Sequence, residues 1–453
     1  MELSRRLELF ESTSIPKAVM TLCIPTVLAN TVTILYNLAD TYFVGMLGNP
    51  AENAAVTLAY PILLAFNAVN NLFGVGCSSL MSRSLGRKDY DAVRKVSSFG
   101  FYASLFCAVL YSLLCTVFRP ELLKIIGAMP DTIAATDAYL KWTVTYGAVP
   151  AIINVVMSYM VRSEGSALHA SIGTMSGCII NIILDPFFVL PWGLGLGAEG
   201  AGLATFISNC CAVLYFIVLI IVKRRKGDTF ISLSLRDFGF RKAIIVGICA
   251  VGIPACIQNL LNVTGLTISN NFAAAYGADA VAGVGIAGKI HSVPMTMGMG
   301  IAGGIMPLVS YNWASGNYGR LKKCMSFAST IMMCFLCTFS LTFLFFAEEY
   351  IAVFMDLPRV VEVGSFFLRV LALTLPLLSM DFIAVNFFQA IGMGKGSLFF
   401  ALSRKLFLEI PLLFVFNHFW HLWGLPFAQL VAEFILAVTA VICLRVILKK
   451  KGA

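Results

Sequence analysis

The sequence predicts an all-α integral membrane protein of twelve transmembrane helices in two pseudo-symmetric six-helix bundles, and three observations carry that prediction. Of 453 residues, 59% are hydrophobic and only 12% charged, about half the charged share of a soluble domain. The apolar residues fall into separate runs, each long enough to cross a hydrocarbon core of about 30 Å. The two halves of the chain also repeat one another.

Twelve runs are read, at 18–47, 53–82, 96–118, 138–161, 170–192, 198–222, 243–276, 280–311, 324–347, 364–391, 397–419 and 423–447. The charges between them set the orientation. With a cytoplasmic N-terminus, the cytoplasmic segments hold most of the 32 Lys and Arg. They include Arg5, Arg6 and Lys17, RSLGRKDYDAVRK after run two, KRRKGDTFISLSLRDFGFRK after run six, and LKKKGA at the end. The opposite side holds Arg119, Lys124, Lys141, Arg359 and Arg369, and Lys289 lies within run eight. This is the positive-inside asymmetry with both termini cytoplasmic. It accounts for the net charge of +9 without a nucleic-acid partner. The opening MELSRRLELFEST is polar, so no cleavable signal peptide is expected. The 13 cysteines lie mostly in apolar runs, as Cys210, Cys211, Cys334 and Cys337 do, and read as small buried hydrophobes rather than ligands or disulfides.

The polar loop Lys223 to Lys242 divides the chain into an N-terminal lobe at 1–222, a cytoplasmic linker at 223–242 and a C-terminal lobe at 243–453. Pro25 recurs as Pro254. Val56, Leu58, Ala59 and Ile62 recur as Val284, Ile286, Ala287 and Ile290, and Tyr90 with Arg94 and Lys95 as Tyr318 with Lys322 and Lys323. One offset held across several loops implies two homologous bundles. Each half has an even number of spans, so the repeats are parallel, and the place between two such bundles is where a transported molecule is usually held.

Some motifs mislead. GVGIAGKI at 283–290 contains a GxGxxG and a GxxxxGK, but no strand precedes it and Ile290 stands where a magnesium-binding hydroxyl belongs. Close packing of small residues explains it better. His169, His291, His418 and His421 make no metal-binding pattern, and no loop gathers a nucleophile with a base. No enzyme activity and no cofactor are expected.

Acids inside spans are costly and mark ion pathways by default. Excluding helix ends they are Asp40, Asp185, Asp381 and Glu433. Asp40 sits in LYNLADTYFVG, with Tyr36 and Asn37 four and three residues earlier on its helix face. Asp185 sits in NIILDPFF, four residues after Asn181, and Pro186 frees a carbonyl one turn back. Carboxylate, amide and carbonyl oxygens suit a proton or sodium. Topology puts Asp40 and Asp185 at similar depth, where they can share one site. Neither Asp381 nor Glu433 has a polar cluster on its own helix, and mid-span cations are read as nearly absent apart from Lys289. Pro25, well before Asp40 on run one, is a candidate hinge.

At these residues the chain resembles a family. LYNLADTYFVG, SRSLGRKDYDAVRKV, NIILDPFFVLPWGLGLGAEGAGLAT and FFQAIGMGKGS look like the multidrug and toxic compound extrusion (MATE) transporters, closest to the bacterial branch that includes DinF and the MepA-type exporters. The resemblance covers essentially the whole chain. It implies twelve helices in two lobes around a V-shaped cleft, and efflux of cationic aromatic drugs driven by H+ or Na+ entry. It implies a cation site at Asp40, Asn181, Asp185 and Thr205, with Tyr139 and Tyr36 nearby; these four would also be the ligands of Na+. Asn37, Asn154, Gln258, Asn262 and Asp381 are the polar groups expected to meet substrate. Another branch relies on acids in the C-terminal lobe, including one on helix seven. Here that helix offers only Gln258, Asn259 and Asn262, so a second cation site is not expected. A monomer in the bacterial cytoplasmic membrane follows, with organic cations and the bilayer as partners. The alternative is a flippase for a lipid-linked saccharide, disfavoured by the scarcity of mid-span cations.

Overall fold

The computed structural model describes residues 2–450; Met1 and the end of the basic tail, Lys451–Ala453, lie outside the described residues, as does the Arg5 side chain. After a short helix, Glu2–Glu11, the spans are α1 (Ile15–Gly45), α2 (Pro50–Gly86), α3 (Tyr90–Val117) and α4 (Ile133–Leu140, a π segment Lys141–Tyr146, then Ala148–Ser163). α5 (Ala167–Val189) and α6 (Ala198–Arg225) complete the first half. The second half holds α7 (Lys242–Ala274), α8 (Ala278–Ala314), α9 (Tyr318–Phe345) and α10 (Pro358–Ala372 with Thr374–Ala390). It ends with α11 (Gly394–Leu402, a π segment Ser403–Glu409, then Ile410–Trp420) and α12 (Leu425–Lys450). No strand occurs among the described residues, as expected where lipid offers the backbone no hydrogen bonds.

All twelve predicted runs are therefore helical. Among the described residues, nine helices are long and apolar enough to cross a membrane, and two bent pairs each complete one more span. The last of the nine, Gly394–Lys450, turns at His421, whose φ of 52° separates α11 from α12.

The repeat read from sequence has a geometric counterpart. α2 and α8 are both 37 residues long, α3 and α9 both 28, and each begins 228 residues after its partner (278 against 50, 318 against 90). Asp89 and Asn317 cap α3 and α9 in the same way, each side chain accepting from the backbone N–H three residues on. α4 bends by 49° at Gly147 and α10 by 46° at Leu373. At Gly147 a Cβ would lie 2.4 Å from the Trp142 carbonyl oxygen, so the kink admits no side chain.

Packing divides the chain into two compact units: Met1–Ser12 with Leu28–Cys256, and Thr13–Val27 with Ile257–Ala453. The sequence reading placed the halves at 1–222 and 243–453. The packed units differ from this because α1 passes from one unit to the other two residues after Pro25, and α7 does so two residues after Pro254. The linker itself belongs to the first unit, where it lies along the start of α3. Ser98 donates to the Ser234 carbonyl at 2.8 Å, Tyr102 to the Leu233 carbonyl at 2.8 Å, and Phe230 stacks on Tyr90 at 4.1 Å.

The helix Glu2–Glu11 docks beside it. Phe10 packs on Gly165, and Arg6 meets the Glu164 carboxylate at 3.4 Å and donates to the Asp228 carbonyl. Glu164 in turn accepts from the Phe230 N–H at 2.7 Å and the Thr229 hydroxyl at 2.6 Å. Burial raises the Glu164 carboxyl above its ordinary value, against the opposing pull of Thr229, Arg6, the Phe230 N–H and Lys223.

Candidate ion site and the family of the chain

The first unit brings together six of the residues singled out by sequence. On α5, Asn181 and Asp185 are one turn apart and face the same way. With the Asn181 amide nitrogen toward Asp185, it donates to Asp185 Oδ2 at 3.1 Å, and its oxygen accepts from the Thr205 hydroxyl at 3.2 Å and the Thr205 N–H at 3.1 Å. This orientation satisfies both ends of the amide. Small residues let the helices come this close. Gly177 on α5 faces Ala212 and Ser208 of α6, and a Cβ on Gly202 of α6 would sit 3.0 Å from the Tyr139 carbonyl of α4.

α1 supplies Tyr36 and Asp40. The Tyr36 hydroxyl hydrogen-bonds the Thr205 side chain and lies within Coulombic range of Asp40 and Asp185. Tyr139, buried on α4, is within the same range of Asp40, Tyr36 and Asp185. Asp40 is 8% exposed and Asp185 0%, and the two carboxylates interact. Among the described residues, Oδ1 of each meets no hydrogen-bond donor. The cluster therefore presents two carboxylates, an amide, a hydroxyl and two phenols on four helices. These are hard oxygen donors of the kind that hold a proton or an alkali cation. Among the described residues no group of three or more His, Cys, Asp or Glu forms a metal site, consistent with a pair of acids rather than a multi-acid cage.

The residues expected to meet substrate lie elsewhere. Asn37 is exposed on α1. Asn154 is buried on α4 and donates to Asn209 Oδ1 at 3.1 Å, while Asn209 donates to the Thr205 carbonyl at 2.9 Å. Asn209 thus extends the polar chain behind Thr205. Sequence reasoning passed it over, although its place four residues after Thr205 on α6 marks the shared face. In the second unit, Gln258 accepts from Gln389 at 3.3 Å, and Asn262 is half-buried.

Asp381 sits in a charged network that corrects one expectation. Mid-span cations are not confined to Lys289: Arg404 and Lys405 both lie within α11, in its π segment. Arg404 Nε reaches Glu433 at 2.6 Å, Nη1 reaches Asp381 at 3.4 Å, and Lys405 reaches Glu409 at 2.6 Å. Asp381 is 1% exposed and Glu433 0%. Their partners come from neighbouring helices, which is why spacing along α10 or α12 did not reveal them. Gly265 of α7 leaves the room that the Lys405 stem fills.

Fold and site together define a class: a multi-span membrane protein of two repeated helical bundles, one of which encloses a pair of acids that, among the described residues, forms no ion pair with Lys or Arg. The MatE family model matches residues 25–187 and again 254–415, once in each half, each match opening on one of the repeated prolines. The chain belongs to the MatE family. It is 33% identical to the multidrug export protein MepA of Staphylococcus saprophyticus, over 96% of this chain and 94% of that one. It is 31% identical to MepA of Staphylococcus aureus, with the same two coverages. An outward-facing structure of a multidrug resistance MATE family transporter superposes with a TM-score of 0.92 at 25% identity, covering 98% of both chains.

Proposed function

We propose that the chain is a multidrug efflux antiporter of the cytoplasmic membrane, with both termini in the cytoplasm. It exports organic, cationic aromatic compounds by alternating access and couples each export step to entry of H+ or Na+. The relatives are named as multidrug export proteins, and the observation that carries the coupling half of the reading is the acid pair Asp40 and Asp185. Two like charges enclosed together repel. A proton on one of them, or Na+ held by Asp40, Asn181, Asp185 and Thr205, relieves that repulsion. The coupling ion is then a transported substrate, and no cofactor or covalent chemistry is involved.

Exchange requires only that cation and drug favour different conformations, and the coupling between them is reciprocal. Asn181 holds one oxygen of Asp185 and passes the contact to Thr205 and Tyr36, so loading the acids alters how α5, α6 and α1 are tied together.

The test is efflux of a fluorescent cationic dye from proteoliposomes under an imposed proton or sodium gradient, with wild type beside Asp40→Asn. Gradient-driven efflux in the wild type and its loss in the variant supports the reading, and the effective gradient names the ion. A wild type that moves no dye under either gradient refutes drug antiport, and a lipid-linked saccharide becomes the substrate to assay.

A further inference from the structure

A cavity of ≈ 440 Å³ opens in the second unit between α9 and α12, floored by Met380 and Ile383 of α10. Such a volume is within the range of ligand sites. Lys322 and Arg445, both exposed, line it near the start of α9 and the end of α12, Ser326 and Thr330 follow one and two turns along α9, and Met333 lies further along the same helix. The lining contains no acid. Lys322 is near the start of α9 and Arg445 near the end of α12, so both lie at the face that the proposed orientation makes cytoplasmic. From Lys322 to Cys334 the lining follows α9 for about 18 Å, close to the depth of one leaflet, about 15 Å.

The repeat supplies an independent observation. The positions of Ser326 and Thr330 correspond to Ser98 and Tyr102 of α3 (326 against 98, 330 against 102). In the first unit that face is covered, because Ser98 and Tyr102 bind the linker backbone at Ser234 and Leu233. In the second unit Ser326, Thr330 and Cys334 are exposed, and among the described residues no segment lies over them.

We propose that this groove binds an anionic phospholipid from the leaflet on the side of the termini. Lys322 and Arg445 hold the phosphodiester, Ser326 and Thr330 face the glycerol region, and one acyl chain runs inward over Met333 and Met380. Basic pockets between spans on the cytoplasmic side are chemically suited to such headgroups, and methionines accommodate a flexible chain.

The full-length protein in detergent is titrated with phosphatidylglycerol or phosphatidylcholine, and bound lipid is counted by native mass spectrometry. Wild type should retain one phosphatidylglycerol more tightly than phosphatidylcholine. The exposed pair Lys322→Gln/Arg445→Gln should weaken it at least tenfold. Lys323→Gln/Lys449→Gln, which removes the same charge outside the cavity, should not. Thr330→Trp, which fills the groove and keeps the charges, should also expel the lipid. Soluble glycerol phosphate should not compete; competition equal to the lipid's would make this a site for a free phosphate and overturn the proposal. Equal retention by the Lys322/Arg445 variant, equal loss in the control, or equal binding of phosphatidylcholine would each overturn it as well.

Discussion

Replacing Arg404 by methionine would leave Glu433 and Asp381 enclosed without their counter-charge. The guanidinium contacts Glu433 twice at 2.6 Å and Asp381 at 3.4 Å, and both acids are almost wholly buried. Removing one partner of such a group costs about 3–5 kcal/mol, because the remaining charge keeps its burial and loses its compensation. A packed unit of this size shifts by roughly 2–4 °C per kcal/mol, so the unfolding midpoint should fall by about 10 °C.

Adding Glu433→Gln removes the charge that the guanidinium holds most closely and should recover most of the loss. Midpoints of wild type, both single variants and the double variant, read as surviving monodisperse protein after heating, close a double-mutant cycle. A coupling of about 2 kcal/mol is expected for side chains in direct contact. A midpoint for Arg404→Met within about 2 °C of wild type, or a strictly additive cycle, would refute the idea that the network holds α10, α11 and α12 together.

Burial holds the Glu164 carboxyl above its ordinary value, so its contribution to the folded state is complete below about pH 4.3 and is lost as pH rises through the raised value. Glu164→Gln should therefore gain on wild type in thermal midpoint as pH rises; a difference that stays constant would sink this account. Gly252→Ala places a Cβ 2.1 Å from the Leu72 carbonyl oxygen. A backbone atom cannot step aside, so a loss of about 1–3 kcal/mol is expected, while Gly239→Ala, with nothing within 4 Å, should leave the midpoint unmoved. Pro25→Ala should slow dye efflux without weakening dye binding if α1 bends there; an unchanged rate reduces Pro25 to a static kink.

The spans were legible because lipid imposes a length and an apolarity that the sequence displays directly, and the positive-inside asymmetry checked their number. Four of the six residues of the candidate ion site were legible for a similar reason. Tyr36 with Asp40 and Asn181 with Asp185 each lie one turn apart, so spacing alone placed them on shared faces. Thr205 has Asn209 one turn further along α6, a spacing that sequence reasoning passed over, and it entered, like Tyr139, only through the resemblance to a family. The Arg404 network escaped because its members lie on three helices. Its π segment also turns Arg404 and Lys405 to faces that α-helical spacing does not predict.

The repeat explains why the two units treat charge differently. Asn181 and Thr205 of the first unit stand at the positions of Glu409 and Glu433 in the second (181 against 409, 205 against 433). Where the second unit has acids, it also has Arg404 and Lys405 to neutralise them. Where the first unit has Asp40 and Asp185, the neighbours on the corresponding faces are neutral amides, hydroxyls and phenols. A carboxylate fixed to a guanidinium has its counter-charge built in, and exchanging it would leave a buried cation unpaired. A carboxylate bounded by neutral oxygen and amide groups has no counter-charge built in, and under the proposed function a mobile cation supplies it. That contrast supports placing the exchangeable cation in the first unit and assigning the charges of the second to holding its helices in register.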